Sequence, residues 1–409
     1  MAKSRENLSL KPLHTAILFI LMNQVPFTAM RLAVPLYALH LDANPAVVGA
    51  IVALFSALPM LGSVYLGRWI DRKGVRLPML LSSALLGGAS LLAVLWPSLP
   101  MLFCVTSLGG GAYATILIAG HQLVGRYGSA AERVSNFSSL STCFAVSLAA
   151  VPMATGFLID HAGYTVTFAG MAVLPPLATL IILLGKLSQL GPVSAAPVSP
   201  PVAASATSTT SATSATSATP GTLGLMRNDS LLQLYGFSIL FTVSWDMFLF
   251  MTPIYGSQLY LSASQIGVVV GSFSVAMFLA RLMARRMNDR FTARQLLLLC
   301  LSVAGAGALG FGFVGIMPLL VLFAFTMGLG QGLANPTLNA LLYDASPPDR
   351  IAEAMGLRTS IAKACQVVLP LGAGALSAAL GAAPVFWLIG VMQMGAAFMA
   401  RRQWHARTH

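Results

Sequence analysis

"GRWIDRKGVR", residues 67–76, sets five charged side chains into ten residues. The 409-residue chain around it is 57% hydrophobic and only 8% charged, with a mean hydropathy of +0.81. Before it, "PAVVGAIVALFSALPMLGSVYL" (45–66) is almost wholly apolar, and after it so is "LPMLLSSALLGGASLLAVLW" (77–96). A run of about 20 apolar residues is what a helix needs to cross a bilayer. The runs lack the two-residue alternation of a barrel strand, and only helices or closed barrels satisfy their backbone in lipid. The charged decapeptide therefore reads as a short polar loop between two spanning helices of an integral, all-α membrane protein.

The same pattern repeats along the chain. Spans are expected at 14–40, 45–67, 77–96, 99–123, 135–158 and 164–187, then at 231–257, 264–286, 296–316, 318–342, 356–378 and 383–400. Lys and Arg fall on one side of this arrangement: the amino end, 67–77, Arg126, Arg133, Lys186, Arg227, 281–294, Arg350 and the carboxyl end. The opposite loops, near 41–44, 97–98, 159–163, 258–263, 317 and 379–382, hold none. Positive-inside sorting then predicts cytoplasmic termini. It also accounts for the net charge of +12 without nucleic acid, which would need a soluble basic face. The four cysteines lie inside apolar runs without metal-ligand spacing. "TAILFILM" (15–22) imitates a signal peptide, but its apolar character continues to about Leu41, so it reads as the first span.

The chain is also a duplication. A constant shift of 218 carries Pro35 to Pro253, Tyr37 to Tyr255, Gly49 to Gly267, Asp71 to Asp289, Arg72 to Arg290, Arg76 to Arg294 and Pro152 to Pro370. Two bundles of six helices, 1–190 and 230–409, are expected on either side of a linker, 191–229. The linker's "PVSAAPVSPPVAASATSTTSATSATSATPGT" (192–222) is too poor in apolar residues to offset the entropy of ordering. Duplicated halves about an axis along the membrane normal are a transporter design, with the substrate site at mid-membrane between them.

With the duplication in view, "GRWIDRKGVR" resembles the cytoplasmic signature of the major facilitator superfamily: a Gly, an Asp with a basic neighbour, a second Gly and a basic residue between spans 2 and 3. Gly67, Asp71, Arg72, Gly74 and Arg76 fill the pattern. The second copy, "RRMNDRFTAR" (285–294), keeps Asp289, Arg290 and Arg294 but carries Arg285 and Thr292 at the glycine positions. "VPMATGFLIDHAG" (151–163) is similar to a Gly-Pro signature of exporters, with Val151 replacing the Gly. The resemblance implies a twelve-helix major facilitator fold and a cytoplasmic latch. Gly67 would allow close helix approach, and Asp71 would face the amino end of span 11 near Ala354–Leu357. Arg72 and Arg76 would pair with Glu132, Asp344 or Asp349.

Ionisable residues inside spans are costly and usually functional. Asp246, in "SWDMFLF", is the one acid deep in a span; Arg31 lies in the outer half of span 1 and Lys363 about two turns into span 11. Asp246 is a candidate proton site, a contact for a substrate cation, or the partner of Arg31, and a pair costs less than two lone charges. Asn23, Gln24, Gln331, Asn335, Asn339 and Gln366 are candidate cavity-lining polar residues, and Phe27, Tyr37, Trp245 and Tyr255 candidate apolar walls. Two features depart from the proton-coupled drug exporters of the superfamily. "VTSLGGGAYA" (105–114) has Ser107 where those exporters usually carry an Arg, and span 1 has no acid.

No ATP-binding loop and no catalytic motif appears, so no enzymatic activity and no cofactor is expected. The reading is a monomeric secondary active transporter of the bacterial inner membrane. It would move a small amphiphilic molecule by proton-coupled export, an antiport. The alternative is a carboxylate-type organic anion, imported or exported on Arg31 and Lys363. A non-transporting sensor would need a soluble signalling domain that the sequence does not offer.

Overall fold

A computed structural model describes residues 12–126, 130–184, 229–346 and 351–406. Apart from Asp229, the linker expected at 191–229 lies outside them. Among the described residues the protein is helical, without strands. The first helices are α1 (Pro12–His40), α2 (Pro45–Lys73), α3 (Arg76–Leu95) and α4 (Leu99–Arg126). The helical stretch Ala130–Leu184 is broken at Gly163, whose φ of 80° and ψ of 173° are not helical, into α5 (130–162) and α6 (164–184). Then come α7 (Asp229–Gln258), α8 (Ala263–Leu282), the short α9 (Ala284–Arg290), α10 (Ala293–Phe313), α11 (Met317–Ala345), α12 (Ile351–Leu380) and α13 (Ala383–Ala406).

Among the described residues eleven stretches are long and apolar enough to span a bilayer, and one of them, Asn136–Leu183, has 48 residues, enough for two crossings. The break at Gly163 divides it where the sequence predicts a loop. The helices are apolar on all sides, as expected where lipid replaces water outside the bundle. Phe19, Phe241 and Phe311 are buried, while Leu61, Leu95 and Phe313 each expose about 70% of their surface.

Two compact units form: Met1–Met30 with Leu54–Ser147 and Ala162–Ser211, and Arg31–Ala53 with Leu148–His161 and Ala212–His409. The second therefore joins the carboxyl-terminal parts of α1 and α5 and the amino-terminal part of α2 to the carboxyl-terminal helices.

The packing of this second unit carries the mark of the duplication. A Cβ added at Gly49 would stand 2.3 Å from the carbonyl oxygen of Pro370, and one at Gly267 would stand 2.4 Å from that of Pro152. These are one contact written twice, because the shift of 218 turns Gly49 into Gly267 and Pro152 into Pro370. A second exchanged pair sets Gly156 against the Ala263 carbonyl and Gly374 against the Pro45 carbonyl. Residue i meeting j′ while i′ meets j is the signature of a two-fold axis. Only a residue without Cβ lets backbones approach so closely, and in lipid such packing replaces the hydrophobic force between helices.

The signature loops differ between the copies for a local reason. Gly74 ends the α2 turn with φ 76°, a left-handed conformation that side chains resist. Its counterpart Thr292 has φ −65° and ψ 155° and caps α10 in a capping box with Gln295, after α9 has carried Asp289 and Arg290 through an extra turn. A Cβ at Gly67 would meet nothing within 4 Å among the described residues, so the close approach expected of that glycine is not made with them.

Gly156→Val and Gly374→Val are expected to lower the melting temperature of the detergent-solubilised protein. The cost is that of overpacking against a backbone atom, about 1–3 kcal/mol each, and Gly67→Ala should cause no loss. Two tolerated valines would contradict the exchanged contacts.

Candidate functional site

In the second unit, α7 brings Asp246 to α1. Asp246 Oδ1 accepts a hydrogen bond from Arg31 Nη2 at 3.3 Å, forming an ion pair whose side chains are 8% and 33% exposed. Asp246 Oδ2 is buried without a hydrogen-bond partner. From α12, Lys363 Nζ donates to Gln366 Oε1 at 3.0 Å, a pair three residues apart on one helix face. The charges that bear on Lys363 are Asp246 and Arg31. The structure thus gathers the three charged residues singled out in the sequence and pairs two of them. One carboxylate there answers two cations.

A fourth charge, missed from the sequence, lies nearby in the same unit. Arg358 of α12 donates from Nε to Ser238 Oγ of α7 at 2.5 Å, from Nη2 to Asn335 Oδ1 of α11 at 2.6 Å, and from Nη1 to Asn339 Oδ1 of the same helix. Asn335 and Asn339 share a face because they are four residues apart. Gln331, one turn earlier on that face, is buried with its Nε2 unpartnered. Arg358 hid in the sequence because it falls where a basic residue is expected at a span's end. The signal that marks it is the Asn-x₃-Asn pair at 335 and 339, two polar amides deep in an apolar run.

The first unit holds a separate polar cluster. Asn23 accepts from Ser83 Oγ at 2.8 Å and donates to the Phe19 carbonyl at 2.9 Å. Gln24 donates to Thr28 Oγ1 at 2.9 Å and accepts from the Tyr113 hydroxyl. Phe27 stacks on Tyr113 with ring centroids 3.8 Å apart.

Other sequence candidates are packing residues here. Tyr255 donates to the carbonyls of Gly312 and Val314, fixing α7 to the end of α10. Trp245 meets Phe273 edge to face, and Tyr37 is buried beside His40.

At the signature loop, Asp71 accepts from Gln122 Nε2 of α4 at 3.1 Å. Arg72, Asp289, Arg290 and Arg294 are exposed, and Arg76 keeps a buried, unpartnered Nε. Of the partners expected for Arg72 and Arg76, Asp344 is exposed on α11. Asp349 lies outside the described residues, as does the Glu132 side chain.

An acid facing a helix amino end is found at Asp160. Its two oxygens accept from the backbone N–H groups of Ala263 at 3.0 Å and Ser264 at 2.8 Å, at the start of α8. Asp160 was legible as the single acid of the 159–163 loop, on the side without basic residues. Among the described residues no cluster of three or more His, Cys, Asp or Glu could hold a metal ion.

The family model of the Major Facilitator Superfamily matches residues 16–260 and 234–403. The chain belongs to the major facilitator superfamily. Its fold is shared by the nucleoside transporter NupG, at 12% identity and TM-score 0.75 over 96% of this chain and 99% of that one. It is shared also by a peptide transporter of the POT type in complex with alafosfalin, at 14% identity and TM-score 0.76 over 95% and 93%. In sequence it is 25% identical over 143 residues to SauU of Cupriavidus necator, described as a probable sulfoacetate transporter. That match spans 35% of this chain and 33% of the relative's length. As a major facilitator protein the chain is a multi-pass membrane transporter.

Removing Asp246 should cost this major facilitator protein more stability than removing Arg31. Asp246→Asn leaves Arg31 and Lys363 as like charges, whereas Arg31→Gln leaves Asp246 with Lys363. The loss is expected at or below the lower end of the about 3–5 kcal/mol for breaking a fully buried pair, because the Arg31 side chain is 33% exposed. Melting curves of the two variants check the order, and a larger loss in Arg31→Gln would contradict it.

Proposed function

We propose that the protein is a secondary active transporter of small organic anions, carboxylates or sulfonates, coupled to protons. The observation that carries this reading is the charge imbalance around Asp246. Arg31 and Lys363 stand against its single carboxylate. Uncompensated cations inside a membrane protein mark a ligand's place more often than a structural one. The partial relationship to a sulfoacetate transporter supports the same class of solute. Efflux of a cationic amphiphile in exchange for protons fits less well, because Asp246 is already engaged by Arg31.

Asp246 is then the internal anion that holds Arg31 while the site is empty. A proton on Asp246 releases Arg31, and Arg31 with Lys363 receives the acid group of the substrate. Proton and anion bind in the same state and move in the same direction, a symport. Alternating access would follow from rocking of two six-helix bundles, 1–190 and 230–409, joined by 191–229. Asp71, Arg72, Arg76 and their copies Asp289, Arg290 and Arg294 would act as latches on the cytoplasmic side, where both termini lie. A monomer in a bacterial inner membrane fits this reading.

Counterflow in proteoliposomes tests it, with sulfoacetate, succinate and the lipophilic cation tetraphenylphosphonium as probes. Anion exchange is expected in the wild type and is expected to fall at least about tenfold in Lys363→Gln, the loss of one charge-assisted contact. Asp246→Asn should retain anion exchange and lose accumulation driven by a pH gradient. Exchange of the cation without either anion would refute the reading.

A further inference from the structure

We infer that Arg358 with Ser238, Asn335 and Asn339 forms a second anion station, which binds the carboxylate or sulfonate group of the transported solute on the side of the basic loops. The inference rests on the organic-anion reading above and adds a site to it.

Three observations carry it. First, a guanidinium is best satisfied by charged acceptors in a bidentate arrangement, yet all three acceptors around Arg358 are neutral oxygens from Ser238, Asn335 and Asn339. No carboxylate lies within ion-pairing distance of it among the described residues. Second, these oxygens come from two helices, Ser238 from α7 and Asn335 and Asn339 from successive turns of α11, converging on one cation as the oxygens of an acid group would. They are replaceable, since side-chain amides can turn away where backbone carbonyls cannot. Third, the station is aligned with the Asp246 site. Ser238 and Asp246 are eight residues apart on α7, a rise of about 12 Å at 1.5 Å per residue. Arg358 precedes Lys363 on α12 in the same direction along the chain. Arg358 is thus met before Arg31 and Lys363 by a solute arriving from the ends of α7 and α12 that follow the basic segments.

The space beside the guanidinium, lined by Tyr235, Ser238, Ile239, Arg358, Ile361 and Ala362, has no room even for water here. Binding therefore requires Asn335 and Asn339 to yield the guanidinium to the incoming acid group. The station is occupied by an internal stand-in, as the Asp246 site is. In this arrangement Arg358 sets affinity at one face of the membrane and Arg31 with Lys363 serves both.

The test measures half-saturation for sulfoacetate and succinate separately at the two faces, in right-side-out and inside-out vesicles. Arg358→Gln is expected to raise it at least about tenfold at the face of the basic loops, as one lost charge-assisted contact would, and to leave the opposite face within about twofold. Arg358→Lys should restore part of the affinity. Asn335→Ala, which removes a competitor for the guanidinium, should lower half-saturation at the same face. A merely structural Arg358 would instead give equal losses at both faces and a loss in Asn335→Ala, and that result overturns the station. If the wild type exchanges neither anion, the organic-anion reading falls and the station with it. If it exchanges them but the Arg358 variant changes both faces alike, the station alone falls.

Discussion

A carboxylate enclosed by apolar helices and met by more positive charge than it can balance shapes the rest of this protein. Asp246 gives one oxygen to Arg31 and leaves the other buried without a partner, while Lys363 rests on a neutral glutamine. In water such an imbalance is screened. In a low-dielectric helical bundle the missing charge has to come from something that enters. A dianion such as sulfoacetate or succinate supplies it together with one proton: the proton quenches Asp246, and the solute's two negative charges then answer Arg31 and Lys363. The coupling of the two in our proposal follows from that electrostatic arithmetic.

Placing such charges within spanning helices requires helices that hold them firmly and, in our proposal, still move. The exchanged contacts of Gly49 with Pro370 and Gly267 with Pro152, and of Gly156 with Ala263 and Gly374 with Pro45, bring backbones together without interlocking side chains. Smooth glycine surfaces are suited to parting and closing again. Close to them, Asp160 ties the amino end of α8 through two backbone hydrogen bonds. That contact is polar and reversible, unlike the packed core formed by Leu297, Leu301, Leu338 and Leu342.

Much of this was legible in the sequence. Lipid demands long apolar helices, so run length alone located the spans, and the constant shift of 218 exposed the duplication that the glycine contacts display. Asp246 does pair with Arg31, one of the three roles read for it; the shift relates spans 1 and 7 without fixing which residues touch. Arg358 escaped notice because the positive-inside bias gives every cation near a span's end a bland explanation. Gly67 shows that small size permits a close approach without requiring one, since no described atom would meet a Cβ there. Tyr255 resembled a cavity wall and is a strut, a difference that lies in where its hydroxyl reaches: to the carbonyls at the end of α10.

The most direct measurement is the thermal stability of the purified protein against concentration of ligand. A ligand that binds only the folded state at 100 times its dissociation constant contributes about 2.7 kcal/mol. The account predicts that sulfoacetate or succinate raises the melting temperature saturably in the wild type, with the effect lost in Lys363→Gln, and that tetraphenylphosphonium does not. Stabilisation by the cation, with no response to either anion, would contradict the claim that the buried positive charge awaits an anionic solute.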